Sequence, residues 1–255
     1  MEVFTVTNQK GGIGKSTTAH NIGAAYSLFM GWRVLLIDLD QQGNLSIATG
    51  ADRDGLTAYD LLNGKKAEEI AQEIREGLDI IPGGKDLARS LQKLTKTGAE
   101  YRLREALEPI KKKYDAVVID TPPALSILTI NALTAADHVI IPAQADLFSL
   151  EAVNELGDTL EAVKRYTNKS MKVDGIVLTR YQPRSVLTQD FAELIEDAAK
   201  QLKTKVFSAR IPEAIAIKEA QAKRQDIFTS APKSKAAAAY KKLFEEIKES
   251  KRHGK

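Results

Sequence analysis

The chain has no cysteine among its 255 residues, which excludes disulfides, thiolate zinc sites and cysteine-ligated iron–sulfur clusters. Its three histidines, His20, His138 and His253, are isolated in the sequence and suggest neither a metal cluster nor a catalytic triad. No apolar run approaches the about eighteen residues that a membrane-spanning helix needs. The N-terminus enters a strand-like run directly, without the charged-then-apolar pattern of a secretory leader, so the cytosol is the expected compartment. Neither an internal repeat nor a low-complexity linker interrupts the chain. A hydrophobic content of 43% over this length is enough for one large α/β domain spanning 1–255, with 250–255 as a frayed tail.

Charge is nearly balanced overall, at +3, but it is unevenly distributed. Residues 1–150 carry 16 Lys and Arg against 19 Asp and Glu, a net of −3, whereas residues 151–255 carry 21 against 15, a net of +6. The C-terminal part is therefore the place to look for a surface that meets a polyanion.

Short, β-branched apolar runs recur at Val3–Val6, Val34–Ile37, Ile80–Ile81, Ala116–Ile119, His138–Ile141 and Gly175–Leu178. Their near-continuous hydrophobicity predicts strands covered on both faces. Helical spacing fills the intervals at Ser16–Phe29, closed by Gly31, and at Leu150–Tyr166 and Val186–Leu202. This alternation predicts a three-layer α/β architecture, a mainly parallel twisted sheet with helices on both faces and ligand loops at the carboxyl ends of the strands. The polar stretch from Ala51 to Lys113 reads as helical decoration with one short strand. Tyr240, Leu243, Phe244 and Ile247 have the spacing of a packed final helix.

The chemistry begins at residues 8–18, Asn8-Gln9-Lys10-Gly11-Gly12-Ile13-Gly14-Lys15-Ser16-Thr17-Thr18, between the first strand and the first helix. The phosphate-loop pattern G-x-x-x-x-G-K-[ST] is intact in its second half, Gly14-Lys15-Ser16, but Gln9 stands where it has its first glycine. Glycines let backbone N–H groups turn inward on a triphosphate, and the helix N-terminus adds partial positive charge. Lys15 is placed to reach the β- and γ-phosphates, and Ser16 to bind Mg²⁺. Lys10 is a surplus cation whose stem can point away from its own phosphates. Two strands end in carboxylates: Val34–Ile37 runs into Asp38-Leu39-Asp40, and Ala116–Ile119 into Asp120 and then Thr121-Pro122-Pro123. Alternation along a strand puts Asp38 and Asp40 on one side. Asp120 closes a hydrophobic run in the manner of a Walker B box, where it holds a magnesium-bound water.

The K-G-G-x-G-K-S-T loop resembles the deviant Walker A box of the ParA/Soj/MinD group of P-loop ATPases, and most closely Soj-like ParA. The likeness continues in Gly43-Asn44, in Leu128–Asp137, in Ile141-Pro142, and in Ile211-Pro212 with Glu219-Ala220 beyond. It departs at Gln41, where the family's D-x-D-P-Q-G-N element has proline. The resemblance implies a homodimer that encloses two ATP molecules with Mg²⁺, with Lys10 touching the partner's phosphates and Gly11, Gly12, Ile13, Gly14, Lys15, Ser16 and Thr17 forming the cradle. It gives Asp40 the attacking water, sets Asp38 near the metal with Ser16 and Asp120, and puts the base against Thr179, Arg180 and Pro212.

The same resemblance implies slow hydrolysis, ATP-dependent binding to double-stranded DNA without sequence preference, stimulation by a ParB-like adaptor, and a nucleoid-associated cytoplasmic life in plasmid or chromosome partition. Arg184 matches a family DNA-binding arginine; another is Ala216 here, with Lys218 close by. Lys223, Arg224, Lys233, Lys235, Lys241 and Lys242 are further candidate phosphate contacts, along with Arg180. Larger plasmid relatives carry a helix-turn-helix domain ahead of the ATPase; this chain starts at the first strand, so specific operator binding is not expected. The competing readings are a MinD-like membrane switch, a dethiobiotin-synthase-like ligase, or the same machine moving conjugation, chemoreceptor or carboxysome cargo. The terminal Lys248–Lys255 segment lacks the bulky apolar residues of a MinD-type anchor, so no membrane partner is expected.

Overall fold

A computed structural model describes residues 1–183 and 185–252. Arg184 and His253 lie outside the described residues.

The strands are β1 Glu2–Val6, β2 Val34–Asp38, β3 Gln72–Arg75, β4 Leu78–Ile81, β5 Ala116–Asp120, β6 His138–Ala143, β7 Lys172–Tyr181 and β8 Val206–Pro212. They form one sheet in the order β3-β4-β2-β5-β1-β6-β7-β8. Every neighbouring pair is parallel except the β3–β4 hairpin at one edge. The helices are α1 Lys15–Met30, α2 Asn44–Thr49, α3 Ala58–Leu62, α4 Ala67–Ile70, α5 Leu87–Lys93, α6 Arg102–Leu107, α7 Ile127–Ala135, α8 Leu147–Tyr166, α9 Val186–Gln201, α10 Ile215–Ala222, α11 Ile227–Ser230 and α12 Lys235–Arg252.

Alternate residues of each central strand enter different cores, as a sheet covered on both sides requires. Val34, Leu36, Ala116 and Val118 join the cluster beneath α1, α10, α11 and α12. Leu35, Ile37, Val117 and Ile119 join a second beneath α3, α4 and α6, and Val139, Ile141, Ile176 and Leu178 a third beneath α8 and α9. The expected three-layer, mainly parallel architecture is the one observed, with two strands more than the sequence reading. The segment 51–113 holds two strands, because the polar β3 folds back on β4. β8 was missed because Ser208 and Arg210 interrupt its apolar run; it is an outer strand with alternating burial.

β8 is the other edge, and an open edge invites pairing with another chain. Glu246 on α12 covers it: its carboxylate accepts the Ser208 N–H at 2.7 Å, the Ser208 hydroxyl at 2.8 Å and the Ala209 N–H at 2.7 Å. A charged acceptor holding two backbone donors ties the last helix to the sheet. Glu246→Ala should lower unfolding stability by roughly 1–3 kcal/mol in urea titration; an unchanged midpoint would mean that water replaces this carboxylate without loss.

Candidate functional site

The loop between β1 and α1 is shaped by two left-handed glycines, Gly12 at φ 74° and Gly14 at φ 86°, where any other residue would be strained. Gly14 caps α1 without a side chain to occupy the first-turn N–H groups, so a 16-residue helix presents its donors to the loop. A cavity of about 370 Å³ opens there, lined by Gly11, Gly12, Gly14, Lys15, Ser16, Thr17, Asp40 and Arg180. Gln42, Asn44, Ile47, Ala48, Pro123 and Gln221 complete its wall. Of these, Gln42, Asn44 and Pro123 had a signal in the sequence, through the two carboxylate-ending elements; Gln221 sits on an unremarkable helix and donates from Nε2 to the Thr17 hydroxyl at 2.9 Å.

A smaller cavity of about 130 Å³ adjoins it, sharing Gly14, Thr17, Arg180 and Gln221, and is lined also by Ile13, Thr179, Ile211, Pro212 and Tyr240. Thus Thr179, Arg180 and Pro212, distant in sequence from the loop, are brought to it. The Thr179 hydroxyl donates to the Ile13 carbonyl at 2.8 Å, which fastens β7 to the loop. Arg180 holds φ 48°, a strained value for a residue with a side chain, at the junction of the two cavities.

Lys15 is buried, and its ammonium donates to the Lys10 carbonyl at 2.7 Å. Burial lowers its pKa, while the carboxylates of Asp120 and Asp40 pull it back up. Asp120 is wholly buried and neither of its carboxylate oxygens has a hydrogen-bond partner. Burial, then the nearby Asp38 charge, push its pKa well above the ordinary carboxylate range, against the opposing effects of Ser16 and Lys15. Ser16, beside Lys15 at the start of α1, is thus among the groups that act on this carboxyl. An unpartnered carboxylate beside a serine hydroxyl and a phosphate loop is a hard-oxygen donor set that fits Mg²⁺.

The two carboxylates of the Asp38-Leu39-Asp40 element do not share a site. β2 stops at Asp38, so alternation does not extend to Asp40, which lines the cavity with its Oδ1 accepting the Gln42 N–H at 2.9 Å. Asp38 lies deeper, away from the cavity lining. Its Oδ1 accepts the Asp40 N–H at 3.0 Å, and its Oδ2 accepts the Ser46 N–H at 2.9 Å and the Ser46 hydroxyl at 2.7 Å. Burial raises its pKa to about 6 despite these bonds. The expected shared side of Asp38 and Asp40 is corrected accordingly; Asp38, opposite Asp120 in the strand register, has its oxygens committed to holding Asp40 and α2. Gly83 completes the brace, donating to the Ser46 hydroxyl at 2.9 Å and packing so closely that a Cβ there would lie 2.6 Å from the Asp40 carbonyl.

Lys10 points out of the cavity. Its ammonium reaches both Asp146 oxygens, at 2.7 and 2.8 Å, and lies 3.3 Å from Gln144 Oε1 and from the Ser149 hydroxyl. Lys218, Lys223, Arg224, Lys233, Lys235, Lys241 and Lys242 are all exposed, along α10, the turn after it, the turn before α12 and α12 itself. Lys218 lies 3.9 Å from Glu213, and Lys241 covers the Phe29 ring.

A family model described as an AAA domain matches residues 1–173, and one for 4Fe-4S iron–sulfur cluster binding proteins of the NifH/frxC family matches 128–254. The second brings no cluster here, since the chain has no cysteine. Over 251 residues the chain is 36% identical to the sporulation initiation inhibitor protein Soj of Bacillus subtilis, covering 96% of this chain and 98% of that protein. It is 39% identical over 254 residues to the chromosome partitioning protein ParA of Caulobacter vibrioides, covering 97% and 94%. The chain belongs to the ParA/Soj family of P-loop ATPases. A Mycobacterium smegmatis structure described as cobyrinic acid a,c-diamide synthase with bound ATP analogue and magnesium superposes with a TM-score of 0.85 at 33% identity, covering 100% of this chain and 97% of that one. As a family ATPase, this chain takes ATP with Mg²⁺, and the donors described above suit both. Among the described residues, no helix is long and apolar enough to cross a membrane.

Lys15→Ala should reduce ATP affinity by at least about 100-fold, since a buried charge-assisted contact to phosphate is worth roughly 3 kcal/mol or more. Calorimetric titration with Mg-ATP checks this, and parental affinity would place the nucleotide elsewhere.

Proposed function

We propose that the whole of 1–255 acts as one ParA-type partition ATPase: two copies close face to face on Mg-ATP, bind duplex DNA without sequence preference, and separate when a ParB-like adaptor stimulates hydrolysis. The observation that carries this reading is Lys10, a loop lysine whose ammonium is turned to Asp146 and lies outside the cavity that the loop's glycines line. A second support is the apolar surface at the starts of the helices that follow the strands' carboxyl ends. Leu147, Phe148, Val186, Leu187 and Ile215 are exposed there, Phe148 at 68%. Such a rim suits burial against a second copy.

In this reading Lys15 exchanges the Lys10 carbonyl for the β- and γ-phosphate oxygens, and the loop N–H groups hold the remaining charge. Ser16 and Asp120 would hold Mg²⁺, which when bound offsets negative charge on the phosphates. Asp40, with one oxygen fixed by Gln42, orients the attacking water, and its N–H bond to the Asp38 carboxylate keeps its backbone in place. Thr179, Arg180 and Pro212 shape the base pocket. Without a further cation at the γ-phosphate hydrolysis is slow, so the dimer persists until the adaptor acts. The exposed cations from Lys218 to Lys235 would face DNA phosphates, in a cytoplasmic protein spread over the nucleoid.

Asp40→Ala should retain Mg-ATP and accumulate the dimer while hydrolysis falls by about 100-fold or more; parental turnover would remove Asp40 from the reaction. Lys10→Ala should bind Mg-ATP yet remain monomeric in light scattering and fail to shift non-specific duplex. Parental protein should shift it only with ATP, and the shift should weaken steeply with salt. An ATP-dependent dimer of the Lys10 variant would refute the role in trans.

A further inference from the structure

Lys10 is held in its own chain by a site built for it. Asp146 supplies both carboxylate oxygens, Gln144 and Ser149 add two further acceptors, and the Phe148 ring lies 5.8 Å from the ammonium. An ammonium has three protons to donate, so these acceptors leave it with no unmet demand. Asp146 is itself placed by the fold: it caps α8, accepting the Ser149 N–H at 2.8 Å, and the Ser149 hydroxyl accepts the Gln144 N–H at 3.1 Å. Burial would raise the Asp146 carboxyl, but the hydrogen bonds from Lys10 and Ser149 outweigh it and hold the pKa below the ordinary value.

We propose that Asp146 is a positioning residue that stores Lys10 within the free subunit, so that two copies associate only when the triphosphates outcompete this carboxylate for the two lysines. The proposal rests on the reading of Lys10 as a contact in trans. If Lys10 is competent only in the fraction of molecules where it has left Asp146, the apparent dimer dissociation constant is raised by the inverse of that fraction for each subunit. The pair is partly exposed, at 22% and 38% for the two side chains, so each hold is modest. About threefold per subunit, acting twice, gives about tenfold for the dimer.

Asn is as good a helix cap as Asp, so Asp146→Asn removes the charge while keeping the start of α8. Sedimentation of the full-length variant with Mg-ATP, at fixed nucleotide, should show a dimer dissociation constant lowered by about tenfold. Asp146→Glu should return it toward the parental value. In a Lys10→Ala background the Asp146→Asn change should have no effect on association, a dependence that a merely structural role of Asp146 would not produce. An unchanged or raised dissociation constant for Asp146→Asn, with Lys10→Ala still monomeric, overturns storage by Asp146 and leaves the trans role standing. A Lys10→Ala protein that dimerises normally overturns the trans role itself.

Discussion

Three carboxylates and one ammonium are buried together at the carboxyl ends of β2 and β5, and the site is short of positive charge. Asp38, Asp40 and Asp120 are each at most 5% exposed, and Lys15 is 7% exposed. Uncompensated charge in a low-dielectric interior is costly unless it is paired or neutralised. The fold answers for Asp38 with three hydrogen bonds and for Asp40 with one. It gives Asp120 none, and both its oxygens remain without a partner. The protein part of the site is electrostatically incomplete at Asp120, and a divalent cation is the kind of ligand that supplies the missing positive charge.

The fold serves this arrangement by topology. β1 lies between β5 and β6, so the phosphate loop leaves the sheet flanked by the strand that ends in Asp120 and by the strand that leads to Asp146. Lys15 and Lys10, five residues apart, are thereby sent to opposite sides of the same loop, one to the inner carboxylates and the other to the outer one. The inner lysine is buried and held by the loop of its own chain. The outer one is held by a partly exposed pair that can be exchanged, which makes it the movable element of the site.

Much of this was legible before any coordinates. The glycine positions, Lys15, Ser16, Asp40 and Asp120 follow from local patterns whose physics is confined to a few residues. Thr179, Arg180 and Pro212 were reached only through family resemblance, and the structure brings them together around the smaller cavity. The shared side expected of Asp38 and Asp40 fails because period-two alternation ends with β2 at Asp38, and the chain turns before Asp40. β3 and β8 escaped notice because edge strands need not be continuously apolar. The pairing of Lys10 with Asp146 spans 136 positions, and no local pattern encodes it. Contacts of that range are set by which strands neighbour one another, and strand order is not written in any one segment.

The most direct test of the incomplete-site account is a crystal structure of the full chain grown with a non-hydrolysable ATP analogue and magnesium. The account predicts the metal bound between Ser16 and the triphosphate, with the Asp120 carboxylate in its water shell, and Lys10 released from Asp146 onto the triphosphate of the partner subunit. A nucleotide lodged outside the loop cavity, or a bound nucleotide that leaves the Asp120 oxygens still without a partner, would contradict it.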